Sequence, residues 1–121
     1  MMKSTIIFSL TAFLVLLVSC EKEPTVNPGF DSTIDKNPNG LVITHLSRYD
    51  ERIYLNGVIS LVTGEVMVNL MNPEGVAVYS RTLIAPVEVQ INETFDATPG
   101  YWKLKYSSRK GIGELKLHLS K

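Results

Sequence analysis

The chain has 121 residues, with 12 lysines and arginines against 12 aspartates and glutamates, so its formal net charge is zero. This balance disfavours nucleic-acid binding, which needs a basic domain, and the length allows one small domain. A single cysteine, Cys20, leaves no thiol pair for a disulfide framework or a cysteine-based metal site. The fold therefore has to be stabilised by its apolar core alone.

The start of the chain has the pattern of a secretory signal. A short basic segment ending at Lys3 precedes an apolar run of thirteen residues from Ile6 to Val18. A membrane-crossing helix rises about 1.5 Å per residue and needs roughly twenty residues, so this run is too short for a permanent span. We expect residues 1–19 to be removed as a signal peptide.

The four residues Leu17-Val18-Ser19-Cys20 resemble the lipobox of bacterial prolipoproteins, in which a small residue precedes an obligatory cysteine. The resemblance implies cleavage before Cys20, a diacylglyceryl group on its thiol, and a fatty acid such as palmitate on the new amine. Two or three acyl chains hold a protein durably, because each buried methylene contributes about 0.8 kcal/mol. The alternatives are an unmodified cysteine in an ordinary signal peptide or in a core.

The residues after the cysteine indicate which membrane is involved. Glu21-Lys22-Glu23 is similar to the acidic export signal of Gram-negative lineages that display lipoproteins on the outer membrane. Position 21 is also not the aspartate that often retains lipoproteins in the inner membrane. The resemblance implies an outer-membrane location, on either the periplasmic or the cell-surface face, and a solvated linker start is the alternative.

Residues 21–40 are poor in apolar side chains and contain three prolines, two glycines and three asparagines. Such a segment buries too little apolar surface to offset the entropy of ordering it. We therefore predict a flexible linker over residues 20–40, about 65 Å long if fully extended, and a folded domain over residues 41–121.

From Leu41 onward apolar residues recur at every second position, which predicts β-strands. The predicted strands cover residues 41–47, 53–61, 65–71, 76–83, 87–92, 100–106 and 115–119. Thr63-Gly64 predicts a hairpin, Asn72-Pro73-Glu74-Gly75 a type I turn, and Ala85-Pro86 a break. A polar turn at Ser107–Gly111 predicts a second hairpin, with Trp102 in the core.

About seven short strands predict an all-β fold, a small antiparallel two-sheet sandwich of immunoglobulin-like architecture. The cysteine pair of antibody domains is absent, so the prediction concerns the architecture and not that family. The chain resembles small β-sandwich domains of unknown function in secreted bacterial proteins, through Gly64, Pro73-Glu74-Gly75, Tyr79, Gly100-Tyr101-Trp102 and Gly111. That resemblance implies no reaction.

Residues suited to catalysis or metal binding are few and scattered. His45 and His118 are the only histidines, and a zinc site needs three or four ligands, so we expect neither a metal nor a cofactor. Nucleophile-elbow and phosphate-loop motifs are absent from the sequence. We predict that the protein is not an enzyme. The alternative is a small envelope hydrolase or inhibitor that pairs Asp50, Glu51 or Asp96 with a second carboxylate.

Basic residues concentrate in the last predicted hairpin. Its outward side chains are predicted to form one face that contains Tyr101, Lys103, Lys105 and Lys116. Arg109 and Lys110 are predicted to lie at the tip of the hairpin. Such a face fits an anionic glycan, lipopolysaccharide phosphate or an acidic protein surface. Lysines on exposed strands also prevent aggregation between sheets, which is the alternative reason for their presence.

The leading hypothesis from the sequence is a lipid-anchored, non-enzymatic interaction or structural module of the cell envelope. Its expected partners are the membrane, through Cys20, and another envelope protein or a glycan. The alternatives are the small hydrolase or inhibitor and a binder of surface polyanion through Lys103, Lys105 and Lys116. The hydrolase hypothesis requires the acidic residues to lie together, and the polyanion hypothesis requires the lysines to lie together. The positions of these residues in the fold therefore distinguish the two.

Overall fold

In the computed structural model, which describes residues 28–121, the chain forms six β-strands, and all strand pairs are antiparallel. The strands are β1 (Gly29–Thr33), β2 (Asn39–Leu46), β3 (Arg52–Met71), β4 (Ala77–Ile84), β5 (Val87–Asp96) and β6 (Gly100–Ser120). The predicted signal peptide, Cys20 and residues 21–27 of the predicted linker lie outside the described residues. Within the described part, no helix is long and apolar enough to cross a membrane.

Two strands, β3 and β6, are long enough to belong to two sheets, and both change register near their middle. Sheet I contains β1, the second half of β6, the first half of β3, and β5, in that order. Sheet II contains β2, the first half of β6, the second half of β3, and β4. Eight strand segments connected in this order form a jelly-roll sandwich.

The two sheets enclose one apolar core, with no buried polar or charged residue among those described. The largest core side chains, Trp102 and Tyr106, are each 1% exposed. The Trp102 indole N–H donates to the carbonyl of Thr98 at 2.8 Å, and the Tyr106 hydroxyl donates to the carbonyl of Asn37 at 2.6 Å. The predicted antiparallel two-sheet sandwich and the core position of Trp102 are confirmed.

The predicted hairpin at Thr63-Gly64 is wrong, because β3 continues through these residues. Buried positions are odd-numbered from Ile53 to Leu61 and even-numbered from Val66 to Leu70, so the strand shifts its inward side by one residue. Gly64 has φ +80°, and the pairing with β6 slips on either side of Thr63. The turn signal marks a bend from sheet I into sheet II.

The predicted hairpin at Ser107–Gly111 is also wrong, because β6 continues through these residues. Ser107 and Arg109 still pair with β3, and β6 runs on for 21 residues without reversing. Lys110 has a positive φ of 54°, and the Gly111 N–H donates to the Ser108 hydroxyl at 3.0 Å. The polar stretch bends β6 from sheet II into sheet I, so the domain has six strands where about seven were predicted.

The folded domain begins earlier than predicted, because part of the expected linker forms β1 and the loop after it. Ile34 is fully buried, and the Phe30 ring packs edge to face on Tyr106 with the ring centroids 4.8 Å apart. The linker prediction for residues 29–40 is therefore wrong. Two apolar side chains and main-chain pairing with β6 stabilise a segment whose composition alone indicates disorder.

The predicted strands at residues 41–47, 76–83 and 87–92 are confirmed as β2, β4 and β5. The predicted turn and break between them are confirmed as well. At the predicted type I turn, the Gly75 N–H donates to the Asn72 carbonyl at 3.0 Å. The Asn72 side chain accepts from the N–H groups of Glu74 and Val76, both at 3.0 Å. β4 then pairs antiparallel with the second half of β3, and the break at Ala85-Pro86, a cis peptide, separates β4 from β5.

Candidate functional site

The sandwich exposes two outer faces on opposite sides of the molecule, because outward side chains alternate with core side chains along each strand. We call them the sheet I face and the sheet II face. The sheet I face is centred on Asp31, Asn56, Val58, Gln90, Lys116 and His118. The sheet II face is centred on Leu41, Ile43, Met67, Tyr101, Lys103 and Lys105.

Three of the four predicted binding residues lie together on the sheet II face. Tyr101, Lys103 and Lys105 are successive outward positions of β6, spaced about 6.7 Å apart along the strand, and all three are exposed. Lys116 lies on the sheet I face, where its cross-strand neighbours are Asp31 and Val58. The prediction that Lys116 lies beside the other three residues is wrong. β6 does not fold back as a hairpin but continues from sheet II into sheet I, where Lys116 lies.

Strand β2 supplies apolar neighbours that the sequence analysis missed. Ile43 lies opposite Lys103, and Leu41 lies opposite Lys105. With Met67 and Tyr101, these side chains are between 44% and 63% exposed. The signal in the sequence is that β2 carries apolar residues at both inward and outward positions, whereas one solvated face requires polar residues at the outward ones. The lysines therefore stand among exposed apolar side chains.

An aromatic pair marks the end of the sheet II face. His45 lies opposite Tyr101, and the two rings meet edge to face with centroids 4.9 Å apart. His118 lies on the sheet I face across from Asn56, so the two histidines cannot share a metal ion. Among residues 28–121, no group of three metal-ligating side chains is close enough to hold an ion.

The two faces carry charges of opposite sign. On the sheet II face, Glu65 is paired with Arg109 at 3.5 Å. None of the three ion pairs found within the described range involves Lys103 or Lys105. The sheet I face combines a single lysine, Lys116, with three acidic side chains: Asp31, Glu88 and Glu114. The sheet II face is therefore positive and partly apolar, while the sheet I face is negative and polar.

Two of the three carboxylates of the alternative hydrolase hypothesis, Asp50 and Asp96, are engaged in local contacts. The Ser47 N–H donates to Asp50 at 2.7 Å, which lowers the pKa of this carboxyl, and the Lys121 ammonium lies 3.5 Å away. A carboxylate held ionised in this way is a poor proton donor for glycoside hydrolysis. Asp96 pairs with Arg52 at 3.4 Å and has a side chain 94% exposed. Glu51 is exposed in the loop before β3 and forms none of the ion pairs found among residues 28–121.

Two surface depressions formed by residues 28–121 lie around the two strand bends, at the opposite end of the sandwich from Asp50 and Asp96. One of about 530 Å³ is lined by Gly64, Ile84 and Lys110 among others, and one of about 350 Å³ by Ile34 and Ile112 among others. Neither is lined by Asp50, Glu51 or Asp96. These two depressions are therefore separated from the predicted carboxylates by the length of the domain.

Comparisons with known proteins give fold-level similarity only. The sequence matches no known family model and no curated protein. A solved CBM4 structure is similar, with 8% identity and TM-score 0.45, over 65% of this chain and 55% of that one. The carbohydrate-binding module CBM28, specific for non-crystalline cellulose, has 6% identity and TM-score 0.46 over 77% of this chain and 70% of its own. A protein of the disulfide-linked pili of Bacillus endospore appendages has 14% identity and TM-score 0.45 over 78% and 82%. At TM-scores below 0.5, these similarities assign neither a family nor an activity to this chain.

Proposed function

We propose that this protein is a non-enzymatic binding module, held at the outer membrane by lipid on Cys20, that binds an anionic glycan with its sheet II face. One observation carries the proposal. Lys103 and Lys105, which pair with no carboxylate of residues 28–121, stand in a row with exposed Tyr101 on a face that also exposes apolar side chains. Exposed apolar patches of this kind mark interaction surfaces.

The shape and chemistry of the sheet II face favour a polymer of sugars. Outward side chains repeat about every 6.7 Å along β6, so a linear ligand lying along the strand meets a ring and two cations in succession. The Tyr101 ring, buttressed by His45, provides a flat apolar surface with a polar rim for a sugar ring. The lysines supply point charges for carboxylate, sulfate or phosphate substituents.

Binding of the mature lipoprotein in detergent to immobilised polygalacturonate and to neutral dextran tests the site. Replacing both lysines, Lys103→Glu and Lys105→Glu, is expected to weaken binding to the acidic polymer by about tenfold or more, which is about 1.4 kcal/mol. Added salt is expected to weaken binding by the unmodified protein as well, because exposed charges are screened.

The control is Lys116→Glu, which reverses the charge of one lysine on the opposite face and so makes half the change in net charge of the double variant. Its affinity for polygalacturonate is expected to stay within about twofold of the unmodified protein. Equal losses in the sheet I and sheet II variants, or equally tight binding to dextran, would contradict the assignment of the site to the sheet II face.

The anchor is tested separately by metabolic labelling with a fatty acid in cells. The unmodified protein is expected to incorporate the label and to fractionate with the outer membrane. A Cys20→Ala protein is expected to incorporate none. Label that persists in Cys20→Ala would rule out the lipid anchor while leaving the binding face untouched.

A further inference from the structure

The end of the sandwich through which the chain enters can be located from its contacts. The Leu119 N–H donates to the Pro28 carbonyl at 2.8 Å, which places the first described residue beside the end of β6. Two residues later, the Lys121 ammonium lies 3.5 Å from Asp50, in the loop between β2 and β3. The chain entry and this loop, residues 47–51, therefore lie at the same end, which we call the entry end.

The entry end lies close to the membrane if the chain is anchored through Cys20. Eight residue steps separate Cys20 from Pro28, and in any conformation they span at most about 29 Å. The linker predicted from composition was more than twice as long. Each half of a long strand has about ten residues, so the strand bends lie about 33 Å from the entry end.

The loop at the entry end presents two side chains of the kind that settle at a bilayer surface. Tyr49 is 78% exposed, and the exposed Arg48 guanidinium lies 4.9 Å from the centroid of its ring. Arg48 also donates to the Tyr49 hydroxyl at 2.8 Å. Tyrosine is enriched at membrane interfaces, and the guanidinium fork matches the geometry of a phosphate group.

The loop holds these two side chains outward by local hydrogen bonds. Asp50 accepts from the N–H of Ser47 at 2.7 Å and its own N–H donates to the Ser47 carbonyl at 3.2 Å. The Tyr49 N–H donates to the Ser47 hydroxyl at 3.2 Å. These bonds close a compact turn, so contact with a surface requires no further ordering of its backbone.

Two acidic side chains at this end are compensated by basic partners, while Glu51 in the same loop is exposed and takes part in no ion pair among residues 28–121. Asp50 pairs with Lys121, and Asp96 pairs with Arg52 at 3.4 Å. Arg48 takes part in none of the ion pairs found among residues 28–121. Its charge is therefore available to a phosphate.

We infer that the Arg48–Tyr49 tip rests in the phosphate headgroup layer of the membrane that carries the lipid on Cys20. This inference rests on the anchor of the proposed function. The short connection supplies proximity, which converts a weak surface contact into an intramolecular one. In this orientation the domain stands on its entry end, the strand bends point away from the bilayer, and the sheet II face is open to the side.

Tryptophan quenching in vesicles tests the orientation. The mature lipidated protein carrying Tyr49→Trp is reconstituted into phosphatidylethanolamine and phosphatidylglycerol vesicles whose acyl chains are brominated near the headgroup. The added fluorescence, measured against the unmodified protein with its buried Trp102, is expected to fall at least about twofold relative to unbrominated vesicles. The matched control is Val62→Trp, at an exposed position of the bend in β3, whose fluorescence is expected to be unchanged.

Each outcome of this experiment has a separate meaning. Protein that fails to float with the vesicles overturns the anchor and, with it, the orientation. Protein that floats but shows equal quenching at positions 49 and 62, or none at position 49, overturns the orientation alone. Adding Arg48→Ala to Tyr49→Trp is expected to reduce the quenching, and unchanged quenching would remove the phosphate contact from the proposal.

Discussion

The sheet I face and the sheet II face are built by the same two long strands, yet they present different surfaces. Lys103 and Lys116 are both outward residues of β6, but one stands among exposed apolar side chains and the other opposite an aspartate. The bend at residues 107–113 places them on opposite sides of the molecule. Which outward residues can act together is thus decided by where a strand changes sheets, and not by their distance along the chain.

The two faces also differ in how far their apolar side chains are exposed to solvent. On the sheet I face, Tyr54 and Val58 are 38% and 40% exposed, and all their cross-strand neighbours are polar: Thr94, Ser120, Gln90 and Lys116. The central apolar residues of the sheet II face are all exposed beyond these values. A surface of this kind lowers solubility unless it is covered in use, so the difference supports the sheet II face as the one that meets a ligand.

The two faces are separate because the chain crosses from one sheet to the other at a few points. Substitutions at those points test how much each crossing contributes to the stability of the domain. The largest effect is expected from Gly64→Ala at the bend in β3. Gly64 has φ +80°, and an added Cβ overlaps the carbonyl group of Lys110. We expect a loss of about 3 kcal/mol or more in the free energy of unfolding, measured by urea denaturation.

The control for this change is Gly75→Ala in the turn between β3 and β4. Gly75 has a similar φ of +82°, but an added Cβ meets nothing within 4 Å. Its expected cost is only that of the left-handed backbone, about 1 kcal/mol. Similar losses in the two variants would show that close packing at the bend contributes little.

An intermediate effect is expected from Tyr106→Phe at the crossing between β1 and β2. The Tyr106 hydroxyl, on the inner side of sheet II, bonds the carbonyl of Asn37 and lies 3.1 Å from the hydroxyl of Ser32 in sheet I. Its removal is expected to cost about 1–2 kcal/mol, because a part-buried carbonyl loses its donor. Tyr54→Phe, on the solvated sheet I face, should change stability by less than about 0.5 kcal/mol, and calorimetry compares the two.

The smallest effect is expected from Asp50→Asn in the loop that carries the chain from sheet II to sheet I. The hydrogen bond from the Ser47 backbone lowers the pKa of Asp50 below its ordinary 3.8. A lowered pKa in the folded state means that the carboxylate adds stability above the unfolded pKa and loses it as pH falls through the folded pKa. The variant should therefore be less stable than the unmodified protein near pH 6, and this difference should shrink as the pH falls toward 2, in urea titrations at both values. A constant difference across this range would assign the effect to something other than the charge.

The sequence predicts the sandwich well because alternation of apolar residues is a local signal. The strands from Arg52 onward and the core tryptophan follow directly from it. The bends are not predicted, because Thr63-Gly64 and Ser107–Gly111 have the composition of turns. Their true role is visible only as a change between odd and even buried positions within one strand.

The candidate site was predicted in part for the same reason. Tyr101, Lys103 and Lys105 follow from alternation along one strand, whereas Leu41 and Ile43 join them through pairing between β2 and β6. That pairing links residues about sixty positions apart, and no local pattern encodes it. Phe30 and Ile34 show the same limit, since their burial depends on partners near the end of the chain.

The long pairing of β3 with β6 also bears on when the domain can fold. Tyr54 pairs with Ser120 at one end of the ladder, and Met71 pairs with Lys103 at the other. β6 lies at the centre of both sheets, so neither sheet is complete until the last residues of the chain are available. Contacts between such distant residues form slowly. Assembly of either sheet is therefore expected to wait for β6, the last strand in the described part of the chain.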